Sequence, residues 1–174
     1  MMITPRSSYR PFQRLALFGV LLIISSGAQS HPPSIQIEVM ASRTSWSDKE
    51  FAGHAFMCIS IPLSSGIKED CFGFYPRDGV KGIIGGPGIT NSEFAKNASR
   101  FSRVTISMKR PIADEGRRQI LRLIDDWNAR EYNLTHQSCI DFVNTVAKTL
   151  GWRTPPRIQT DLPATFLKKL VDAN

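Results

Sequence analysis

The sequence predicts an α+β domain with an antiparallel sheet packed against helices, and three observations predict it. Strand-like patterns fill residues 34 to 108, helical periodicities fill residue 113 onward, and no regular strand–helix–strand alternation joins them. One hundred and seventy-four residues suit a single compact domain with a short extra segment, not two full domains. A hydrophobic share of 41%, with 10 Phe and 3 Trp, supplies a core and excludes wholesale disorder.

The extra segment is residues 1–30. Arg6, Arg10 and Arg14 form a basic start without an acid, Leu15 to Ile24 is an unbroken apolar run, and small residues follow up to Ser30. That three-part layout predicts a secretory signal peptide cleaved after Ala28 or Ser30, leaving a single domain over residues 31–174 in the periplasm or outside the cell. The run is far short of the roughly twenty residues that span a bilayer, so no stable membrane span is expected after cleavage. Cleavage takes the net charge from +7 to +4. The remaining charges are spread out, with no aromatic-interleaved basic stripe, which disfavours nucleic acid as a partner. Export also permits disulfides, and the odd count of Cys58, Cys71 and Cys139 leaves at least one thiol over.

The mature chain opens with a flexible His31 to Ser34. Ser34 to Ala41 alternates Ile35, Ile37 and Val39 with Gln36 and Glu38, the pattern of a half-buried strand. Phe51 to Ile61 is apolar on both faces, which predicts a strand central in its sheet, with His54 as its single histidine. Ser64-Ser65-Gly66 makes a turn, Cys71 to Tyr75 returns as a strand, and Pro76 stops it. Arg77 to Asn91 carries Gly79, Gly82, Gly85, Gly86, Pro87 and Gly88, and is expected to be a long loop near a site. Its Gly-Gly-Pro-Gly lacks the lysine and the βαβ setting of a phosphate loop. Arg103 to Met108 alternates as a strand. Ile120, Leu121, Ile124 and Trp127 recur at helical spacing within 113–129. Ser138 to Leu150 is a second helix closed by Gly151, and a last helix starts near Asp161-Leu162-Pro163 and ends by Val171.

Cys139 holds the strongest chemical position. Ser138 is a natural N-cap and Asp141 completes a capping-box spacing, which makes Cys139 the first helical residue. There the unpaired amides and the positive end of the helix dipole favour thiolate over thiol, and thiolate is the nucleophilic form. The commoner fate of such a cysteine is a packed, inert small hydrophobe. His54, a histidine in an apolar strand, needs a hydrogen-bond partner or a task. His136 competes as a base from the connecting loop, and His31 stands at a frayed terminus.

Three segments together resemble a known superfamily: Gly53-His54-Ala55-Phe56, then Phe72-Gly73-Phe74-Tyr75-Pro76, then Tyr132-Asn133-Leu134 leading to Ser138-Cys139-Ile140-Asp141-Phe142-Val143-Asn144. Their order is similar to that of the circularly permuted papain-like proteins, which include lecithin:retinol acyltransferase-like proteins and permuted cell-wall amidases and endopeptidases. The resemblance runs from about Phe51 to Trp152. It implies a permuted papain-like fold with His54 as base and Cys139 as nucleophile. Relatives place a third polar residue on the strand after the histidine, and no His, Asn, Gln or Glu stands there in this sequence. A hairpin centred near Ser64-Ser65 sets Tyr75 opposite His54 as the orienting residue, with Asp70 and Ser107 as alternatives. The same register sets Cys71 opposite Cys58, close enough for a disulfide after local adjustment.

The expected function is therefore that of an exported cysteine hydrolase, an amidase or peptidase working without a cofactor on peptidoglycan peptide bonds. The rival readings are a lipid acyl hydrolase or acyltransferase, a non-catalytic envelope-binding module that keeps the fold, and a metal site drawn from His54, Cys58, Cys71, His136 and Cys139. The last lacks any C-x-x-C pair.

Overall fold

The computed structural model describes residues 34–43, 53–92 and 101–174, and among these, six strands and three helices follow one another. The expected signal peptide, His31, and the first two residues of the second expected strand lie outside those residues. β1 (Gln36–Ser42), β2 (His54–Leu63), β3 (Gly66–Pro76), β4 (Gly86–Ser92), β5 (Val104–Pro111) and the short β6 (Glu131–Tyr132) form one sheet in the order β5-β1-β2-β3-β4-β6. Every pairing is antiparallel. With α1 (Asp114–Trp127), α2 (Cys139–Thr149) and α3 (Pro163–Asp172), the class is α+β.

One face of the sheet carries the main core. Ile37, Val39 and Ala41 of β1 and Ala55, Met57 and Ile59 of β2 alternate onto it, and Phe142, Val143 and Val146 of α2 pack there with Phe166 and Leu170 of α3. Period-2 patterning on the strands meets period-3.6 patterning on the helices, which is what seals such a layer. The opposite face holds a small cluster of Met40, Phe56, Cys58 and Cys71. β2 is thus covered on both faces, the reason its sequence is apolar throughout.

Two readings of the sequence are corrected. Arg77 to Asn91 is not one long loop: Gly79–Gly82 is a single 3-10 turn, and Gly86–Ser92 is β4, paired with β3 and β6. The glycine that hides this strand is required by it. A Cβ on Gly88 would collide with the Phe74 ring and come within 2.8 Å of the Arg130 carbonyl. On α1, Leu121 is exposed and Leu123 takes the buried place beside Ile120, Ile124 and Trp127. At 100° per residue, position 123 lies 60° from position 120, whereas position 121 lies 100° away.

Among the described residues no helix is long and apolar enough to cross a membrane.

Candidate active site

Ser138 has extended backbone angles and is the N-cap of α2. Its side chain accepts from the Ile140 N–H at 3.3 Å, and its own N–H donates to Asp141 Oδ2 at 2.8 Å, which closes the capping box. This reciprocal pairing begins the helix at Cys139. The thiol is 4% exposed and forms part of the wall of a cavity of about 410 Å³.

His54 reaches the same cavity as the first residue of β2. It hydrogen-bonds the Cys139 sulfur, to which the Ala55 backbone also bonds. Burial by itself pushes the thiol up. The charge of His54, its hydrogen bond and the Ala55 bond outweigh burial and the nearby Asp141 carboxylate, and the net direction is downward. Gly53 admits no side chain beside this histidine, because a Cβ there would lie 2.7 Å from the Ser42 carbonyl.

Tyr75 lies on β3 beside His54, and the two rings stack with centroids 4.3 Å apart and planes 18° apart. Phe56 stacks on the same imidazole at 6.0 Å. The ring is therefore held by aromatic faces. The alternatives for this role are engaged elsewhere. Asp70 pairs with Lys68 at 2.9 Å and sits opposite Ile59, and Ser107 sits opposite Met40. His136 is exposed, with Nδ1 3.1 Å from Thr135 Oγ1, and is absent from both the cavity wall and the groups acting on the thiol.

The sequence assigns no role to several residues at the site. Arg157, from the segment between α2 and α3, has a side chain 9% exposed. It donates to the carbonyls of Leu134 and Thr135 and to Ser138 Oγ, and pairs with Asp141 at 3.2 Å. One guanidinium thus ties the loop before α2 to the capping box. Tyr132, held by Phe74 at 5.4 Å, lines the cavity, and its phenol is pushed up first by burial and then by the neighbouring Cys139 charge. Asp161 also lines the cavity, bonded to Lys169 at 2.6 Å and to the Ile158 N–H at 3.0 Å. Pro76, Ile83, Leu134, Leu162 and Pro163 give the cavity an apolar wall. An arginine in a proline-flanked loop and an aspartate before a helix look like solvated surface until the chain folds back.

Cys58 and Cys71 face each other across β2 and β3 with Cα atoms 3.9 Å apart and their sulfurs joined in a disulfide. Glu69 lies near them, but both sulfurs are used in that bond, which leaves the group without the thiolates a metal would take. Cys139 is the free cysteine.

No family model matches the chain, and no curated protein matches it. The crystal structure of TseH, a type VI secretion system effector, is similar in fold, with a TM-score of 0.58 at 12% identity over 82% of this chain and 91% of that one. At that identity the likeness concerns the fold alone.

Proposed function

We propose that the protein is an exported thiol hydrolase of the permuted papain-like type, cleaving peptide amide bonds of peptidoglycan in the periplasm or outside the cell. The observation that carries this reading is the hydrogen bond between His54 and a Cys139 sulfur that stands at a capped helix start and lines a cavity. The type VI secretion effector of similar fold is in keeping with an exported role.

In this mechanism the Cys139 thiolate attacks the amide carbonyl carbon, a C–S bond forms, and the carbonyl π electrons move onto oxygen. The N–H of Cys139, at the positive end of α2, is the natural oxyanion donor. Collapse expels the amine, which takes its proton from the His54 imidazolium and leaves a thioester. Water, deprotonated by His54, then attacks the thioester, and collapse returns the thiolate and releases the acid. Acyl transfer through a thiolate needs no cofactor.

The test is incubation of the mature, oxidised protein with purified muropeptides, followed by mass spectrometry for hydrolysed fragments. Cleavage is expected, with Cys139→Ser inactive and His54→Ala slowed by about 10²–10⁴-fold, the usual contribution of a general base. The apolar wall favours a second reading, hydrolysis of an acyl ester, and model acyl esters run in parallel decide between them. Turnover of neither substrate, with a Cys139 that labels only after unfolding, would leave a binding module.

A further inference from the structure

We propose that the groove between Arg43 and Arg103 is an oxyanion subsite, taking a carboxylate or phosphate of the same molecule that occupies the Cys139 cavity. Arg43 leaves β1 and Arg103 enters β5, and the Arg43 N–H donates to the Arg103 carbonyl at 3.1 Å, which sets the two arginines side by side. They line a groove of about 540 Å³ together with Ser102, Val104 and Thr105. The ladder is irregular here. Ala41 pairs with Ile106 and Ser42 with Val104, leaving Thr105 as the extra residue, with its Oγ1 donating to the Ala41 carbonyl at 3.3 Å. A bulge of this kind bends a strand and re-aims its side chains.

Among the described residues no carboxylate lines the groove, and neither guanidinium has a hydrogen bond or ion pair. Arg103 Nε is buried without an acceptor. A buried donor left unpaired is costly, and an oxyanion seated between two guanidinium groups satisfies it with charge-assisted bonds. The location connects the groove to the cavity. Val104, Ser42 and His54 form one row across β5, β1 and β2, so the two outer Cα atoms are about 10 Å apart at the usual strand spacing. An extended substrate held beside His54 covers a distance of that size in about three residues.

Binding is measured first, without reference to catalysis. Inorganic phosphate and acetate are titrated calorimetrically at low salt into the oxidised Cys139→Ala protein. Saturable binding is expected, weakened about tenfold or more by Arg43→Gln with Arg103→Gln and unchanged by Arg122→Gln on α1. Absence of saturable binding, or an equal loss in Arg122→Gln, overturns the proposal. If the double variant fails to fold, Arg43→Gln alone is used. Arg43 is exposed at the end of its strand, and unaltered affinity in that variant has the same meaning. A kinetic arm rests on the thiol-hydrolase reading and separates substrate from free anion. A substrate with a free carboxylate should show a lower KM than its amidated form, and the arginine variants should erase that difference without changing kcat. A difference that survives the loss of phosphate binding overturns the assignment to substrate, whereas inactivity of every form leaves the binding result standing and counts against the hydrolase reading.

Discussion

Cys139 is a buried cysteine whose thiol is nonetheless moved toward the anion, chiefly by His54 with the Ala55 backbone beside it. Burial opposes charge, and His54 opposes burial. Because the thiol lies below its ordinary value, the thiolate fraction at a given pH exceeds that of a free cysteine. The pH midpoint of iodoacetamide labelling at Cys139 should therefore lie below that of an unfolded control. In His54→Ala the midpoint should move up. A labelling profile identical to that of an unfolded control would remove the basis for nucleophilic chemistry. Asp161 obeys the same balance with another sign of partner. Burial raises its carboxyl, but the Lys169 hydrogen bond and charge, the Ile158 N–H and the Arg157 charge hold it down. Its stabilisation is present above the ordinary carboxylate range and is lost as pH falls through the depressed value. Asp161→Asn should cost about 1–3 kcal/mol at pH 7, and the gap from wild type should narrow toward acid in denaturant titrations.

At the scale of elements, the start of α2 is assembled from three parts of the chain: the residue 133–138 turn, the capping box and the returning Arg157. The guanidinium makes its contacts as a planar fork that lysine does not reproduce. Arg157→Met should lower stability by about 3–5 kcal/mol, the range for losing one partner of a largely buried pair, and Arg157→Lys should lower it by a smaller amount. Both should also slow Cys139 labelling in the folded protein, because the turn carbonyls and the helix start lose their common anchor. Full stability in Arg157→Lys, read from the denaturation midpoint at constant m-value, would show that the fork is unimportant. β4 illustrates a different dependence on neighbours. Its Thr90 N–H donates to Asn128 Oδ1 at 2.8 Å and its hydroxyl to the Ile124 carbonyl at 3.1 Å. Both partners come from the region of α1, more than thirty residues onward. Gly88→Ala should destabilise the fold by about 1–3 kcal/mol through overpacking against Phe74, with thermal melting as the measurement.

Across the whole molecule, β2 and β3 are the shared structural axis. They carry His54 and Tyr75 at one end and are joined by the disulfide farther along. The bridge spans 13 residues of sequence, and closing a loop of that size in the unfolded chain corresponds to about 3 kcal/mol. Cys58→Ala with Cys71→Ala, or reduction of the native protein, should lower the melting temperature accordingly while the fold persists. A midpoint unaffected by reductant would mean that the hairpin is already fully ordered without the bond.

The sequence carried those features that depend on local pattern. The α+β class follows from the change of hydrophobic period near residue 110. The β2–β3 register follows from the Ser64-Ser65 turn, which fixes every later pair, including Cys58 with Cys71. The start of α2 at Cys139 follows from the Ser138 and Asp141 spacing. Folding decided what depends on partners distant in the chain. β4 lacks side-chain alternation because Phe74 occupies the space over Gly88, so its composition resembles a loop. Asp161 joins the cavity, and Arg157 the cap of α2, only because the chain returns over α2, and a polar residue in a loop shows no periodicity that records its destination. His54 and Cys139 are 85 positions apart, and their hydrogen bond exists because α2 packs across β2. Local pattern fixes each residue's element and face, but only the packing of those elements brings two such residues into contact.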